Sequence, residues 1–180
     1  AGAMHFFDAD FPKEENDLTL FYQAHAFLRG QMLLQGLNLF EPFDVNGYDA
    51  YHQMPAFNRN WITANTLAHR YKFGLDIVNG IRSTDGNGLI KIDVVRYVNQ
   101  NISQPEEAEV LAREIIDHLL PNEITEERYM YFYREILLDT LSEINWRFEW
   151  QAYRQTQDDT AVRIQLEKFV SALLQSPEFQ

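Results

Sequence analysis

The chain is 180 residues long, 46% hydrophobic and carries a formal net charge of -12, enough for one well-buried domain and too little to argue for two. Its 15 Lys and Arg are scattered among 27 Asp and Glu, which argues against a nucleic-acid or anionic-lipid surface, because phosphate neutralisation needs clustered cations. The absence of cysteine removes disulfides, thiolate zinc sites and a cysteine nucleophile.

No apolar run approaches the roughly 20 residues of a membrane span, and the N-terminus lacks the basic-then-apolar order of a signal peptide. Ala1-Gly2-Ala3-Met4 reads as an expression-vector remnant. Residues 5–16 mix Phe with acids and a proline, so they form an arm that packs by its rings. Asp17 is the expected N-cap of a first helix, with Leu18, Leu20, Phe21, Ala24, Phe27, Leu28, Met32 and Leu33 at helical spacing and Gly36 as its stop. A long aromatic-rich segment, Gln35 to Arg70, overlaps the start of a second helix that runs from about Thr63 to Val78. A loop of that length is uncommon in a compact domain unless it is functional or packed into the body.

Asn79 to Gly88 reads as a turn-rich connector. Asp93 caps a short helix, Val94 to about Asn101. Ser103-Gln104-Pro105-Glu106 reads as a capping box opening a helix to Leu120, which Pro121 ends. Thr125 starts another helix, whose Tyr129, Phe132, Tyr133, Ile136, Leu137 and Leu141 make a wide apolar stripe. Ile144 to Tyr153 fits either a short strand or a continuation of that helix. Trp146 and Trp150 are expected in the core or at an interdomain seam. Asp158 or Asp159 caps a last helix to about Gln175, followed by a turn at Ser176-Pro177-Glu178-Phe179. The fold expected is all-α: an irregular bundle of about six helices with a long ordered aromatic-rich loop between the first two.

The run Leu39-Phe40-Glu41-Pro42-Phe43-Asp44-Val45-Asn46-Gly47-Tyr48, followed by Trp61-Ile62 and Leu67-Ala68-His69-Arg70, resembles the C-terminal region of a large bacterial family known as domain of unknown function 1800. Asp93, the Ser103 to Pro121 segment and the closing Leu173-Leu174-Gln175-Ser176-Pro177-Glu178-Phe179-Gln180 resemble its later landmarks. Tyr48 stands where that family often has Trp, and Tyr51 to Asn60 is an insert of this lineage. The resemblance implies an exported protein longer than this chain, with residues 5–180 as a single C-terminal helical domain. It implies no activity, cofactor or catalytic residue.

Ser83 to Val94 has the Asp, Asn, Gly and Ile of an EF-hand loop at its centre. Its first position is Ser83 and its twelfth Val94, where carboxylates are required, and Lys91 stands at the ninth, so a plain turn is the preferred reading. The histidines His5, His25, His52, His69 and His118 include no pair at zinc-helix spacing; His25 and His69 are expected to pack. Asp44, Asp49 and His52 form the best metal or acid-base cluster. Tyr48, Tyr51, Phe57 and Trp61 are candidates for a sugar-stacking platform, against the simpler reading that these rings anchor the loop. No nucleophile elbow or phosphate loop is present. The candidate ligand-binding set is therefore Asp44, Tyr48, Asp49, Tyr51, His52 and Trp61, with no catalytic residue, metal site or cofactor singled out. The leading expectation is a non-catalytic interaction or scaffold module; the alternatives are a carbohydrate-binding surface on the 44–61 aromatic loop and a hydrolase or metal site near Asp44, Asp49 and His52. The module's partner is the N-terminal region of the longer protein, another exported protein or a glycan, and neither nucleic acid nor a membrane span is expected.

Overall fold

The computed structural model describes residues 11–37, 63–83 and 85–179. These form seven α-helical segments and one small hairpin, so the all-α expectation holds. In chain order they are α1 (Leu18–Leu34), α2 (Ala64–Asn79), β1 (Ile81–Arg82), β2 (Gly88–Ile90), α3 (Val94–Asn101), α4 (Ala108–Leu119), α5 (Glu126–Met130), α6 (Glu143–Thr156) and α7 (Thr160–Leu174). A π-helical stretch, Tyr131–Leu137, continues α5.

The helix starts follow local chemistry. A side-chain oxygen at each N-cap takes an otherwise unpaired first-turn N–H: Leu20 N donates to Asp17 at 2.9 Å, Arg96 N to Asp93 at 3.2 Å and Arg128 N to Thr125 at 3.3 Å. Thr63 and Thr66 cap each other reciprocally at the start of α2. At the far end of α1, Gly36 adopts φ 91° and Leu37 N reaches back to the Met32 carbonyl at 2.8 Å, a left-handed stop open to glycine.

Helix α7 is the axis of the core. It packs against α2, α3, α6 and the π-helical stretch, and its Val162, Leu166, Phe169, Val170, Leu173 and Leu174 are all buried. The same core takes in Ile77 and Val78 of α2, Leu111 and Ile115 of α4, and Phe132 and Leu137 of the π-helical stretch. Helix α1 is peripheral: only Ala24 is fully buried, and Phe11 of the preceding arm stacks edge-on against His25 at 4.9 Å and Phe21 at 6.4 Å.

Four local expectations are corrected. The 79–88 connector contains an antiparallel hairpin pairing Ile81 with Ile90 and Arg82 with Gly88, with a register irregularity between them. Ser103 does not cap α4. Its N–H donates to Glu114 Oε2 at 2.9 Å and its hydroxyl to Oε1, so the helix opens at Ala108. Ile144 to Tyr153 is neither a strand nor an extension of the previous helix; it lies within α6, separated by Asp139 (φ 51°) and Thr140 (φ 64°). Leu141, expected on the buried stripe, is exposed because the stripe ends where the chain turns.

Trp146 and Trp150 are core residues. They stack at 5.7 Å, the Trp146 indole donates to the Pro105 carbonyl at 2.9 Å, and Tyr153 beyond them accepts from Asn99 at 2.6 Å.

Candidate functional site

Asp44, Tyr48, Asp49, Tyr51, His52 and Trp61 lie outside the described residues. The EF-hand-like loop is placed, except at Thr84. The Asp85 carboxylate accepts from the Ser83 hydroxyl and from Asn87 Nδ2 at 3.1 Å, while Ser83 N donates to the Asn87 carbonyl at 2.8 Å. These bonds hold the hairpin turn and keep the Asp85 carboxyl below its ordinary 3.8, the Ser83 hydroxyl contributing most. Lys91 turns away to pair with Glu167 at 3.2 Å. Among the described residues, no group of three or more His, Asp or Glu side chains converges as a metal site would require.

The described residues instead bring unusual backbone and converging polar groups together where the π-helical stretch turns into α6. Widening begins at Tyr131, and the Leu138 N–H reaches the Tyr133 carbonyl, five residues back, at 3.0 Å. Thr140 N then donates to the Arg134 carbonyl at 3.1 Å. Two consecutive non-glycine residues, Asp139 and Thr140, take left-handed φ, and Lys168 of α7 clamps the Asp139 carboxylate at 2.7 Å. π-Helical turns are rare and concentrate at functional sites, and left-handed non-glycine residues persist only where surrounding contacts impose them.

The turn leaves an open cleft of about 550 Å³ between its own last residues and the start of α6. On its inner wall the Tyr133 hydroxyl donates to Glu143 Oε1 at 2.5 Å. Burial, reinforced by that carboxylate, pushes the Tyr133 phenol well above its ordinary 10.0, so it serves as a fixed donor rather than a proton shuttle at neutral pH. Tyr129 stacks beneath it at 5.8 Å and 14°, with the Arg113 guanidinium 4.2 Å over the Tyr129 ring. Burial also lifts Tyr129, to about 12. The Ser142 side chain makes no capping bond to α6 and lines the cleft, while the Asn145 N–H of the first turn donates to the Ser142 carbonyl at 3.0 Å. Arg134 and Glu135 line the rim.

Beside the cleft, α6 has two faces. Trp146 and Trp150 point inward. Ile144, Phe148 and Ala152, each four residues apart, share the outward face. Ile144 is 60% and Phe148 65% exposed, and Leu141, half exposed, extends the ridge into the cleft.

No residue of this cleft belonged to the sequence-derived candidate set. The sequence places Tyr133 in the apolar stripe for its ring, and its hydroxyl acquires meaning only opposite Glu143. Ser142-Glu143, a helix-start signal, was the available clue.

No curated protein and no solved structure matches this chain. Residues 13–180 match the family described as Protein of unknown function (DUF1800), and the chain belongs to that family.

Proposed function

We propose that this chain is a non-catalytic interaction module of an exported bacterial protein, and that the outward ridge of α6 docks an amphipathic helix of a protein partner. The exported setting rests on the family resemblance. The docking rests on one observation: Ile144, Phe148 and Ala152 lie exposed in a row on a helix whose opposite face is already anchored by two buried tryptophans, with exposed Leu141 in the turn before it. Single exposed apolar side chains need no explanation, whereas a row at helical spacing matches the groove-and-helix mode of recognition.

Charge selects among helical partners. The chain's net charge of -12 favours a partner whose apolar stripe is flanked by Lys or Arg, while α6 itself is balanced, with Glu143 and Glu149 against Arg147 and Arg154.

Fluorescence anisotropy with a designed helical peptide, Leu on one face and Lys on its flanks, tests this reading. Saturable binding is expected, weakened at least about tenfold by Phe148→Asp, a change equivalent to about 1.4 kcal/mol. Because Phe148 is exposed, the variant should melt within about 0.5 kcal/mol of the parent stability. Absence of saturable binding, indifference to Phe148→Asp, or equal binding of a peptide flanked by Glu would refute it.

A further inference from the structure

We infer that the cleft between the π-helical stretch and α6 is a binding site for a neutral, hydroxyl-rich ring of the size of one sugar unit. The inference rests on Tyr133 and Glu143, which the α6 ridge does not use. The cleft's volume, about 550 Å³, falls in the range of small-ligand sites, roughly 300 to 1,000 Å³. Its inner wall is fixed by Tyr133, held by burial and by its 2.5 Å bond to Glu143.

The polar groups choose the ligand. Tyr133 engages Oε1 of Glu143, leaving Oε2 as an acceptor toward the mouth. Ser142 and Thr140 bring hydroxyls that both donate and accept, and Arg134 brings donors only. Two carboxylates, Glu143 and Glu135, stand against one guanidinium, Arg134, so an anion is disfavoured. A neutral hydroxyl satisfies both kinds of group, donating to a carboxylate while accepting from the guanidinium. Leu141 and Ile144 at the edge supply apolar surface for the C–H face of a ring.

Amide NMR titration of the whole chain with neutral pyranosides, with myo-inositol, and with glucuronate and glucosamine as charged controls tests the site. Neutral rings are expected to shift amides at 133–135 and 140–145, with glucuronate binding at least tenfold more weakly and glucosamine no more tightly than the neutral rings. Glu143→Ala and Tyr133→Phe should each weaken the neutral ligand at least tenfold; both break the Tyr133–Glu143 bond and lower the melting temperature, so Glu143→Gln, which keeps an oxygen for the Tyr133 hydroxyl, should weaken the ligand with the melting curve unchanged. Inositol and pyranosides binding alike assigns the site to any cyclic polyol, and pyranosides alone to sugars. No shift with any neutral ring, shifts confined to Tyr48, Tyr51 and Trp61, binding of glucuronate alone, or binding unchanged in Glu143→Ala would overturn the inference. None of these results depends on Phe148, so the peptide-docking reading stands or falls separately.

Discussion

Arg163 of α7 offers the sharpest stability test. Its guanidinium meets Asp93 at 3.1 Å, Asp159 through Nε at 3.1 Å and also through Nη2, and Glu167 at 3.6 Å. It thereby ties α7 to the N-cap of α3 and to the α6–α7 turn. Arg163→Met keeps the aliphatic stem and removes the charge. The Arg163 side chain is 25% exposed, and the two Asp partners are each under a third exposed. The cost therefore falls between an exposed pair, about 0 to 1 kcal/mol, and a broken buried pair, about 3 to 5 kcal/mol. We expect about 2 to 3 kcal/mol, which for a chain of this size lowers Tm by about 5 to 10 °C. Urea unfolding should show a lower midpoint with an unchanged slope, and most of the loss should persist at about 1 M salt because the groups are shielded from solvent. The pH dependence has a definite sign. Hydrogen bonding from Arg163, the largest contribution, holds the Asp159 carboxyl below 3.8. A depressed folded-state pKa stabilises above the unfolded value and ceases to do so as pH falls through the folded one. The gap between parent and variant should thus be full above about pH 5 and close progressively below about pH 4. A loss under about 0.5 kcal/mol, or one erased by salt, would show that the cluster is only a solvated surface pair.

Two further substitutions test the frame around the site. Gly80 has φ 90° and its missing Cβ would lie 3.3 Å from the Lys91 stem, so Gly80→Ala should cost about 1 to 3 kcal/mol of backbone strain; an unchanged thermal melt would contradict that. Glu178, in the closing turn, accepts from Arg128 Nε at 2.8 Å, and that guanidinium lies 4.5 Å over Phe132; Glu178→Gln should lose about 1 to 1.5 kcal/mol locally, read as about tenfold faster amide exchange over residues 175–179, with protection unchanged if the turn holds by packing alone.

The parts of the fold legible in the sequence were those fixed by neighbours within one helical turn. Asp17 and Asp93 cap the helices they were expected to cap, and Thr63 and Thr125 prove to be the N-caps of helices expected to begin at or near them, because an N-cap bond spans only three residues. Ser103 satisfied the same local pattern and failed, since Glu114, eleven residues away, offered its hydroxyl and amide a charged acceptor. Strands of two and three residues are too short to display a period, so the hairpin read as a connector. The end of the chain was legible for a different reason: the Ser176 to Phe179 turn carries its own signal, and Arg128 then fastens it.

Ile144 to Tyr153 shows why the site stayed hidden. Trp146, Phe148 and Trp150 alternate as a strand would, and a strand would place all three rings on one face. As a helix, the same residues divide: the tryptophans enter the core and Phe148 is left outside. The helical arrangement places the Trp146 indole against a distant group, the Pro105 carbonyl that accepts from it, and follows the turn before α6. That turn depends on a π-helical stretch and two left-handed residues, Asp139 and Thr140, neither of which has a side chain that favours the conformation strongly enough to announce it. The exposed ridge and the polar cleft are consequences of one event, the break in the helix after Leu137. If that break exists to build a site, restoring a regular helix there should remove the cleft and the ridge geometry together, while leaving the buried set of α7 in place.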